Sequence, residues 1–152
     1  MLLETVTKVK AVWPANLPLT VRLSASDWTE GGWTVDDSVK LAKLLKDLGV
    51  DLIDCSSAYV RGGDHYPYGP SWQVPLAKQV KALAGIATGA VGMITEPEQA
   101  NKIIEDGQAD LIFIARESMR EPQWPYKAAL ALGAEIVPEA KSVLPKNYSY
   151  AL

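Results

Sequence analysis

The sequence predicts an α/β protein in which parallel strands alternate with helices along the chain. Four apolar runs have the composition of strands, at residues 19–23, 50–55, 86–91 and 109–114. A helical pattern follows each run, and one strand with its helix occupies roughly 24 to 36 residues. The fourth run, Asp110-Leu111-Ile112-Phe113-Ile114, lacks polar alternation, as is typical of a parallel strand covered on both faces.

Apolar residues recur at helical spacing in five other segments. This spacing predicts helices over residues 2–13, 35–48, 71–84, 96–106 and 122–132. Pro14 is expected to end the first helix, and Gly49, Gly107 and Gly133 are expected to end the second, fourth and fifth. Thr95 and Glu98 have the spacing of a capping box, with Pro97 in the first turn.

Two architectures fit this alternation, an open doubly wound sheet and part of a (β/α)8 barrel. No Gly-x-Gly-x-x-Gly sequence follows a predicted strand, so the fingerprint of dinucleotide-binding open sheets is missing. A complete barrel has eight units in ~200–250 residues, and four units with a preceding helix make half of it. The sequence therefore favours a half-barrel over residues 1–152, incomplete alone.

The composition excludes several classes of protein. The 152 residues include 15 basic and 18 acidic side chains, and this net charge of −3 offers no basic surface for nucleic acid. No apolar run approaches the ~18–20 residues of a membrane-spanning helix, and no export signal opens the chain. The sequence contains one cysteine, Cys55, and one histidine, His65, so neither an internal disulfide nor a structural zinc site is expected. We expect a cytoplasmic protein with no nucleic-acid or membrane partner.

The carboxyl ends of strands are where α/β proteins place their chemistry. The first predicted strand carries Arg22, and an arginine within an apolar strand is costly unless its charge is met. One interpretation is a salt bridge to Asp54 or Asp27. The other is a site for an anion or a carbonyl-rich ligand.

The second predicted strand ends in Cys55-Ser56-Ser57. Two serines at a strand end either cap a turn or donate hydrogen bonds to a ligand. Cys55 has no activating base nearby in sequence and is expected to fill the core as a small apolar residue. His65 lies in the long loop that follows and is expected to be solvated.

The last two predicted strands end in segments suited to a phosphate. Gly92-Met93 follows the third strand and Ala115-Arg116 follows the fourth. Glycine lets a backbone approach a ligand closely, and arginine supplies a counter-charge. The loops after the last two strands of a (β/α)8 barrel commonly build a phosphate site. If the four units are units 5 to 8, these residues form a phosphate cradle.

Four stretches carry a resemblance to a known family: VRLSASDW at 21–28, GVDLIDCSS at 49–57, TGAVGMIT at 88–95 and ADLIFIARE at 109–117. In this order and spacing they resemble the old yellow enzyme family of FMN-dependent ene-reductases, in particular its bacterial, thermophilic-like branch. The resemblance covers nearly the whole chain but only the C-terminal half of the family's (β/α)8 barrel. It implies units 5 to 8, FMN as cofactor, NADPH or NADH as reductant, and reduction of the activated C=C bond of an enone-type substrate.

The resemblance also implies roles for six residues. Arg22 would lie beside flavin N1 and the C2 carbonyl, where a fixed cation favours the anionic reduced ring. The backbone amides of Gly92, Met93, Ala115 and Arg116 would hold the FMN phosphate, with the Arg116 guanidinium as counter-charge. Ser56 would add a hydroxyl in the phosphate region. Arg22 and Arg116 are accordingly expected to face one shared cavity.

Other parts of the family's active site have no counterpart here. The family anchors its substrate with a His/His or His/Asn pair and protonates it with a tyrosine, and both precede the matched region. No catalytic residue is therefore expected within this chain. The segment 147–152 resembles a family tail that reaches a neighbouring active site, with Tyr150 where relatives often have arginine.

A half-barrel is expected to lack stability by itself. If about ten inward side chains stay in water at ~1.5–3 kcal/mol each, the loss exceeds the ~5–15 kcal/mol by which domains are normally stable. Self-association or pairing with a separate N-terminal half is therefore expected. Two other functions remain open: a non-catalytic half-barrel that binds FMN or another phosphate ligand, and another phosphate-binding barrel such as a sugar-phosphate isomerase.

Overall fold

The computed structural model describes residues 1–58 and 67–134. His65 and the tail over residues 147–152 lie outside these ranges. In order, the described elements are α1 (Leu2–Lys10), β1 (Thr20–Ser24), α2 (Val35–Asp47), β2 (Leu52–Ser56), α3 (Val74–Ala84), β3 (Ala87–Ala90), α4 (Pro97–Glu105), β4 (Leu111–Ile112), α5 (Arg116–Arg120) and α6 (Trp124–Ala131). No helix among them is both long and apolar enough to cross a bilayer.

The four strands form one parallel sheet in the order β1-β2-β3-β4. The spatial order follows the chain order without reversal, and parallel connections are right-handed, so successive crossovers lie on the same face. A doubly wound sheet reverses its order at a switch point, and this sheet does not. The predicted α/β fold with four parallel strand–helix units is confirmed. Their assignment to units 5 to 8 of a barrel stays a prediction.

One face of the sheet packs against the helices. Ile53 and Cys55 of β2 are fully buried in a single apolar cluster, together with Leu45 of α2 and Val80 of α3. Val21 and Leu23 of β1 join the same cluster, and so do residues of α1 and α4. Alternate strand residues therefore point to the helices, as the two-residue period of a strand requires.

The other face, here named the open face, is mostly polar or small. Along β1 its residues are exposed and include Arg22, and along β2 it carries Asp54 and Ser56. Its large apolar side chains among the described residues are Leu52, Leu111 and Phe113, none of which belongs to the helix-side cluster. The expectation of about ten wet apolar side chains on this face is therefore too high.

Two helix boundaries differ from the predicted ones for local reasons. α1 ends at Lys10, and Val12, predicted on its apolar stripe, is 83% exposed. Pro14 disfavours helical dihedrals at Trp13, whose indole N–H donates to the Leu17 carbonyl at 3.2 Å. α3 begins at Val74 rather than residue 71, because Ser71 has a φ of +62°.

The capping box of α4 is shifted by one residue from its predicted position. The helix begins at Pro97, so Glu96 is the N-cap and Gln99 the third helical residue. Gln99 Oε1 accepts a hydrogen bond from the Glu96 backbone N–H at 3.4 Å. The predicted pairing of Thr95 with Glu98 is wrong, because proline favours the first helical position.

The fourth strand is shorter than its apolar run, and a short helix follows it. Only Leu111–Ile112 form strand, although Phe113 still donates its backbone N–H to the Ala90 carbonyl at 2.8 Å. The five-residue helix α5 was not predicted, because five residues are too few to display a helical period.

Gly89 of β3 lies directly beneath the ring of Phe113. A Cβ built on Gly89 would be 2.5 Å from Phe113 Cδ2 and still closer to Cε2. We expect Gly89→Ala to displace this ring and to lower the free energy of unfolding by about 1–3 kcal/mol. Urea unfolding followed by circular dichroism measures this loss. Gly69→Ala is the matched control, because a Cβ there meets nothing within 4 Å; equal losses for both variants would contradict the account.

Candidate functional site

A cavity of about 220 Å³ lies at the carboxyl ends of β3 and β4. Its walls are Met93 to Thr95 after β3 and Ala115 to Glu117 after β4, with Tyr68 and Arg120 beside them. The structure thus brings together three predicted site residues, Met93, Ala115 and Arg116. The fourth member of the predicted cradle, Gly92, precedes Met93 in the chain and is buried.

The backbone at Gly92-Met93 has a conformation that few residues adopt. The φ of Gly92 is +114° and that of Met93 is +52°, both in the region that L side chains avoid. A Cβ on Gly92 would also lie 3.1 Å from Cβ, Cγ and Oε1 of Gln73. The dihedral angle therefore favours glycine at position 92, where a Cβ would also crowd the Gln73 side chain, and Met93 is held in a costly conformation.

The predicted cradle contains backbone N–H groups with no acceptor. The amides of Gly92, Met93, Ala115 and Arg116 donate to no atom of the described residues. Nearby amides do find partners, since that of Thr95 donates to Gln99 Oε1 at 3.0 Å. Gly92 is buried, and a buried N–H group normally has an acceptor, whereas Ala115 and Arg116 are exposed to solvent. Among the described residues, these donors on two adjacent loops are therefore available to an anionic ligand.

The charges around the cavity leave one positive group uncompensated. Glu117 is paired with Arg120, which donates from Nε at 3.1 Å. Arg116 is exposed and makes neither a hydrogen bond nor an ion pair with a described residue. Arginine matches the oxygens of a phosphate geometrically, and its charge is permanent. The free cation of this cavity is thus the one predicted from the sequence.

Hydrogen bonds join the loop after β1 to the loop after β2. The buried Gln73 amide donates to the Ser57 carbonyl at 2.6 Å and to Ser57 Oγ at 2.9 Å. Trp28, which has a φ of +55°, donates its indole N–H to Ser57 Oγ at 2.9 Å. Gln73 also packs against Gly92, so the hydrogen-bonded residues Gln73, Ser57 and Trp28 are in contact with the loop after β3.

A second group of hydrogen bonds holds the loop after β3. Gln99 of α4 donates to Ser71 Oγ at 2.7 Å and to the Met93 carbonyl at 2.9 Å. Trp124 of α6 donates its indole N–H to the Thr95 carbonyl at 2.6 Å. Sequence reasoning missed Gln73, Gln99 and Trp124. For the two glutamines, the signal was an amide side chain at the start of α3 and of α4, the helices that follow β2 and β3.

Arg22 lies on the open face, at the opposite edge of the sheet. Its guanidinium donates to Asp54 Oδ2 at 3.0 Å and to Ser56 Oγ at 2.9 Å. The predicted salt bridge is therefore present, with Asp54 rather than Asp27, whose carboxylate accepts the Trp33 N–H. Ser56 lies against Arg22 and does not line the cavity of Arg116.

The described residues do not bring Arg22 and Arg116 to the same cavity, and a cavity shared by the two stays a prediction. Arg22 does not line the cavity at β3 and β4. It lies on edge strand β1, whereas Arg116 follows the other edge strand, β4. Three strand spacings of ~4.8 Å separate the edges by about 14 Å. A ligand that touches both guanidinium groups has to extend across the carboxyl end of the sheet.

Asp54 is a buried carboxylate that Arg22 only partly compensates. Its side chain is 11% exposed, and Oδ1 has no hydrogen-bond partner among the described residues. Burial raises the pKa of Asp54, although the Arg22 guanidinium acts in the opposite direction. The ion pair and the raised pKa of Asp54 are compatible. Loss of hydration raises the pKa of the carboxyl by more than the half-exposed Arg22 guanidinium lowers it.

Cys55 is the only cysteine and lies in the core. Burial, with a smaller contribution from the neighbouring charge of Asp54, raises the pKa of its thiol to about 12. A thiol with this pKa is not deprotonated near neutral pH and is a poor nucleophile. The prediction that Cys55 is a small core residue is confirmed.

Replacing Arg22 tests the balance of charge at Asp54. We expect Arg22→Met to raise the pKa of Asp54 further and to destabilise the chain by roughly 1–2 kcal/mol at pH 7, since Arg22 is half exposed to water. A carboxyl whose pKa is raised on folding loses stability as pH rises above its ordinary value of 3.8. The difference between variant and wild type should therefore shrink as the pH falls toward 4.

Urea unfolding at several pH values measures this dependence. The control is the double variant Arg22→Met with Asp54→Asn, which carries no titratable carboxyl at position 54. The difference in free energy of unfolding between this double variant and wild type should not increase from pH 4 to pH 7 as it does for Arg22→Met. A constant difference between Arg22→Met and wild type over this range would contradict the assignment.

The model of the NADH:flavin oxidoreductase / NADH oxidase family matches residues 1–135. The chain belongs to this family. The cofactor of the family is FMN, used with NAD(P)H. The resemblance inferred from four short stretches of sequence is thereby confirmed over most of the chain.

Two NADPH dehydrogenases give the same result. The chain is 48% identical over 136 residues to an NADPH dehydrogenase of Halalkalibacterium halodurans, covering 90% of this chain and 39% of the relative. It is 50% identical over 133 residues to an NADPH dehydrogenase of Geobacillus sp., covering 88% and 38%. A solved mandelate racemase/muconate lactonizing protein of Herpetosiphon aurantiacus superposes with a TM-score of 0.49 at 14% identity, over 87% of this chain and 40% of that one. The chain spans about two fifths of the length of its dehydrogenase relatives.

Proposed function

We propose that this chain binds the phosphate of FMN and is the FMN-binding half of an NAD(P)H-dependent oxidoreductase that reduces activated C=C bonds. One observation carries the proposal: Met93, Ala115 and Arg116 line the cavity at β3 and β4, and neither their backbone N–H groups nor the Arg116 guanidinium has a partner among the described residues. Backbone N–H donors beside a fixed cation suit a phosphate. The family supplies the identity of the phosphate-bearing molecule.

The dimensions of the cavity support binding of the phosphate end alone. Its volume of about 220 Å³ is below the ~300–1,000 Å³ typical of a pocket that encloses a whole ligand. The remainder of the cofactor would lie along the carboxyl end of the sheet, toward β1. There the open face carries exposed polar side chains rather than an apolar wall.

Arg22 is the residue we propose for the ring end of the cofactor. Asp54 and Ser56 fix its guanidinium from one side, and its side chain remains 57% exposed. A guanidinium has five N–H donors, so several remain for ring carbonyl or nitrogen atoms. When bound, FMN supplies hydride transfer between NAD(P)H and substrate; Arg22 would contribute a positive charge that favours the anionic reduced ring.

The substrate proposed for the complete enzyme is an enone-type small molecule. This proposal follows from the family resemblance, in which a histidine pair and a tyrosine upstream of the matched region hold and protonate the substrate. The described residues include no histidine. A chain that binds FMN without turnover is the second candidate, favoured by a cavity whose volume suits the phosphate end alone.

Titration of FMN with the purified chain tests the phosphate site. We expect Arg116→Gln to weaken FMN binding roughly 10- to 100-fold, because a hydrogen bond to a charged group contributes ~1.5–3 kcal/mol. Quenching of flavin fluorescence gives the dissociation constant. Lys43→Gln is the control, because Lys43 is exposed on α2 and its replacement changes the net charge equally. Equal FMN dissociation constants for Arg116→Gln and Lys43→Gln would contradict the proposal.

We also propose that the open edges of the sheet are covered by another polypeptide, either a second copy or a separate N-terminal half. β1 and β4 each pair on one side only among the described strands, and Leu111 is 50% exposed. Unpaired strand edges promote pairing with other strands.

Sedimentation velocity of the chain alone tests this association. We expect species larger than a 16.5 kDa monomer, or a shift to a defined complex when the N-terminal half is added. In the second case, reduction of cyclohexenone by NADPH should appear only with both halves present. A single sharp monomer that melts cooperatively and ignores the added half would contradict the proposal.

A further inference from the structure

We infer that Gln99 is a positioning residue that sets the direction of the phosphate-facing amide of Met93. This inference rests on the proposed function, since it concerns the same cavity. Gln99 does not line the cavity and acts through the loop between β3 and α4.

Gln99 uses all the hydrogen-bonding capacity of its side-chain amide. Nε2 donates to Ser71 Oγ at 2.7 Å and to the Met93 carbonyl at 2.9 Å. Oε1 accepts from the backbone N–H groups of Thr95 at 3.0 Å and Glu96 at 3.4 Å. An amide side chain has two donors and two acceptor positions, so none is left over. One side chain therefore ties the start of α4 to two loops at once.

The residues bound by Nε2 have unusual backbone angles. Ser71 has a φ of +62° and Met93 a φ of +52°, and they are two of the three non-glycine residues with positive φ among the described residues. A side chain in this region persists only where its surroundings over-determine the conformation. Both strained residues are held by the same NH2 group, which identifies Gln99 as the source of that constraint.

The constraint acts on the amide that would meet the phosphate. The φ and ψ angles of Met93 together set the angle between the peptide that carries its N–H and the peptide that carries its carbonyl. Because Gln99 holds the carbonyl, a change of φ away from its positive value turns the N–H relative to it. Without this bond, the backbone of Met93 is free to return to a common conformation, and its N–H turns away.

A role limited to capping α4 is the alternative. Oε1 alone performs the capping, through Thr95 and Glu96. The Nε2 bonds add nothing to the helix, because both acceptors lie outside α4. The two roles can therefore be separated by a second change at Met93, which affects loop conformation and leaves the helix cap as it is.

The test compares FMN dissociation constants of four forms of the full 152-residue chain. Gln99→Met, a neutral change to another good helix former, is expected to weaken binding about tenfold. Adding Met93→Gly should restore binding to within about threefold of wild type, because glycine adopts positive φ without help. Gln79→Met is the control; Gln79 donates to Asp36 far from the cavity, at 2.7 Å, and its loss should leave binding unchanged.

A ligand-free measurement accompanies the titration. The Cα and Cβ chemical shifts of Met93 report its backbone conformation, and they should leave positive-φ values in Gln99→Met but not in Gln79→Met. Unchanged Met93 shifts, or failure of Met93→Gly to restore binding, would overturn the inference. Absence of FMN binding by the wild-type chain would instead overturn the proposed function, and the Met93 shifts would still decide the role of Gln99.

Discussion

The loops at the carboxyl ends of β3 and β4 carry backbone N–H groups that have no acceptor among the described residues, and the rest of the site depends on them. Two loops carry these groups at Gly92-Met93 and Ala115-Arg116, and each loop follows one of two adjacent parallel strands. Parallel strands in chain order bring their carboxyl ends to the same edge of the sheet. The sheet therefore places the loops side by side. In the proposed function, a phosphate bound beside the Arg116 guanidinium would accept from these amides, which have no acceptor among the described residues.

Holding the loops in this state requires support from elsewhere in the fold. Ser71 and Met93 have positive φ values and are fixed by Gln99, while Trp28 is fixed through Ser57 by Gln73. Gln73 lies at the beginning of α3 and Gln99 at the beginning of α4. Both helices pack on the face of the sheet opposite the open face. Core packing thus holds the glutamines in place, and the glutamines hold the loops.

The repeating units could be predicted from the sequence because their signals are local. Apolar runs and helical periods located four strands and five of the six described helices, and four short stretches identified the family. Arg116 and Gly92 could be found because strand order predicts that their loops are neighbours. The separation of Arg22, which lies within β1, from Arg116, which follows β4, could not be predicted as directly, because it depends on the width of the assembled sheet.

The parts that escaped prediction depend on contacts between distant residues. Gln99 bonding to Ser71, 28 residues earlier, leaves no periodic or compositional trace in the sequence. The open face carries few large apolar side chains. This could be recognised only from the strand register, which shows the face to which each strand residue belongs. α5 was missed because one and a half turns have no hydrophobic period.

The central claim is that the amides of two loops form one anion site. The most direct measurement is a titration of the ¹⁵N-labelled chain with inorganic phosphate, followed by amide chemical shifts. The account predicts that the amides of Gly92, Met93, Ala115 and Arg116 shift together with a single dissociation constant, and that this response is lost in Arg116→Gln. Shifts confined to one loop, or spread over surface lysines with no common constant, would contradict it.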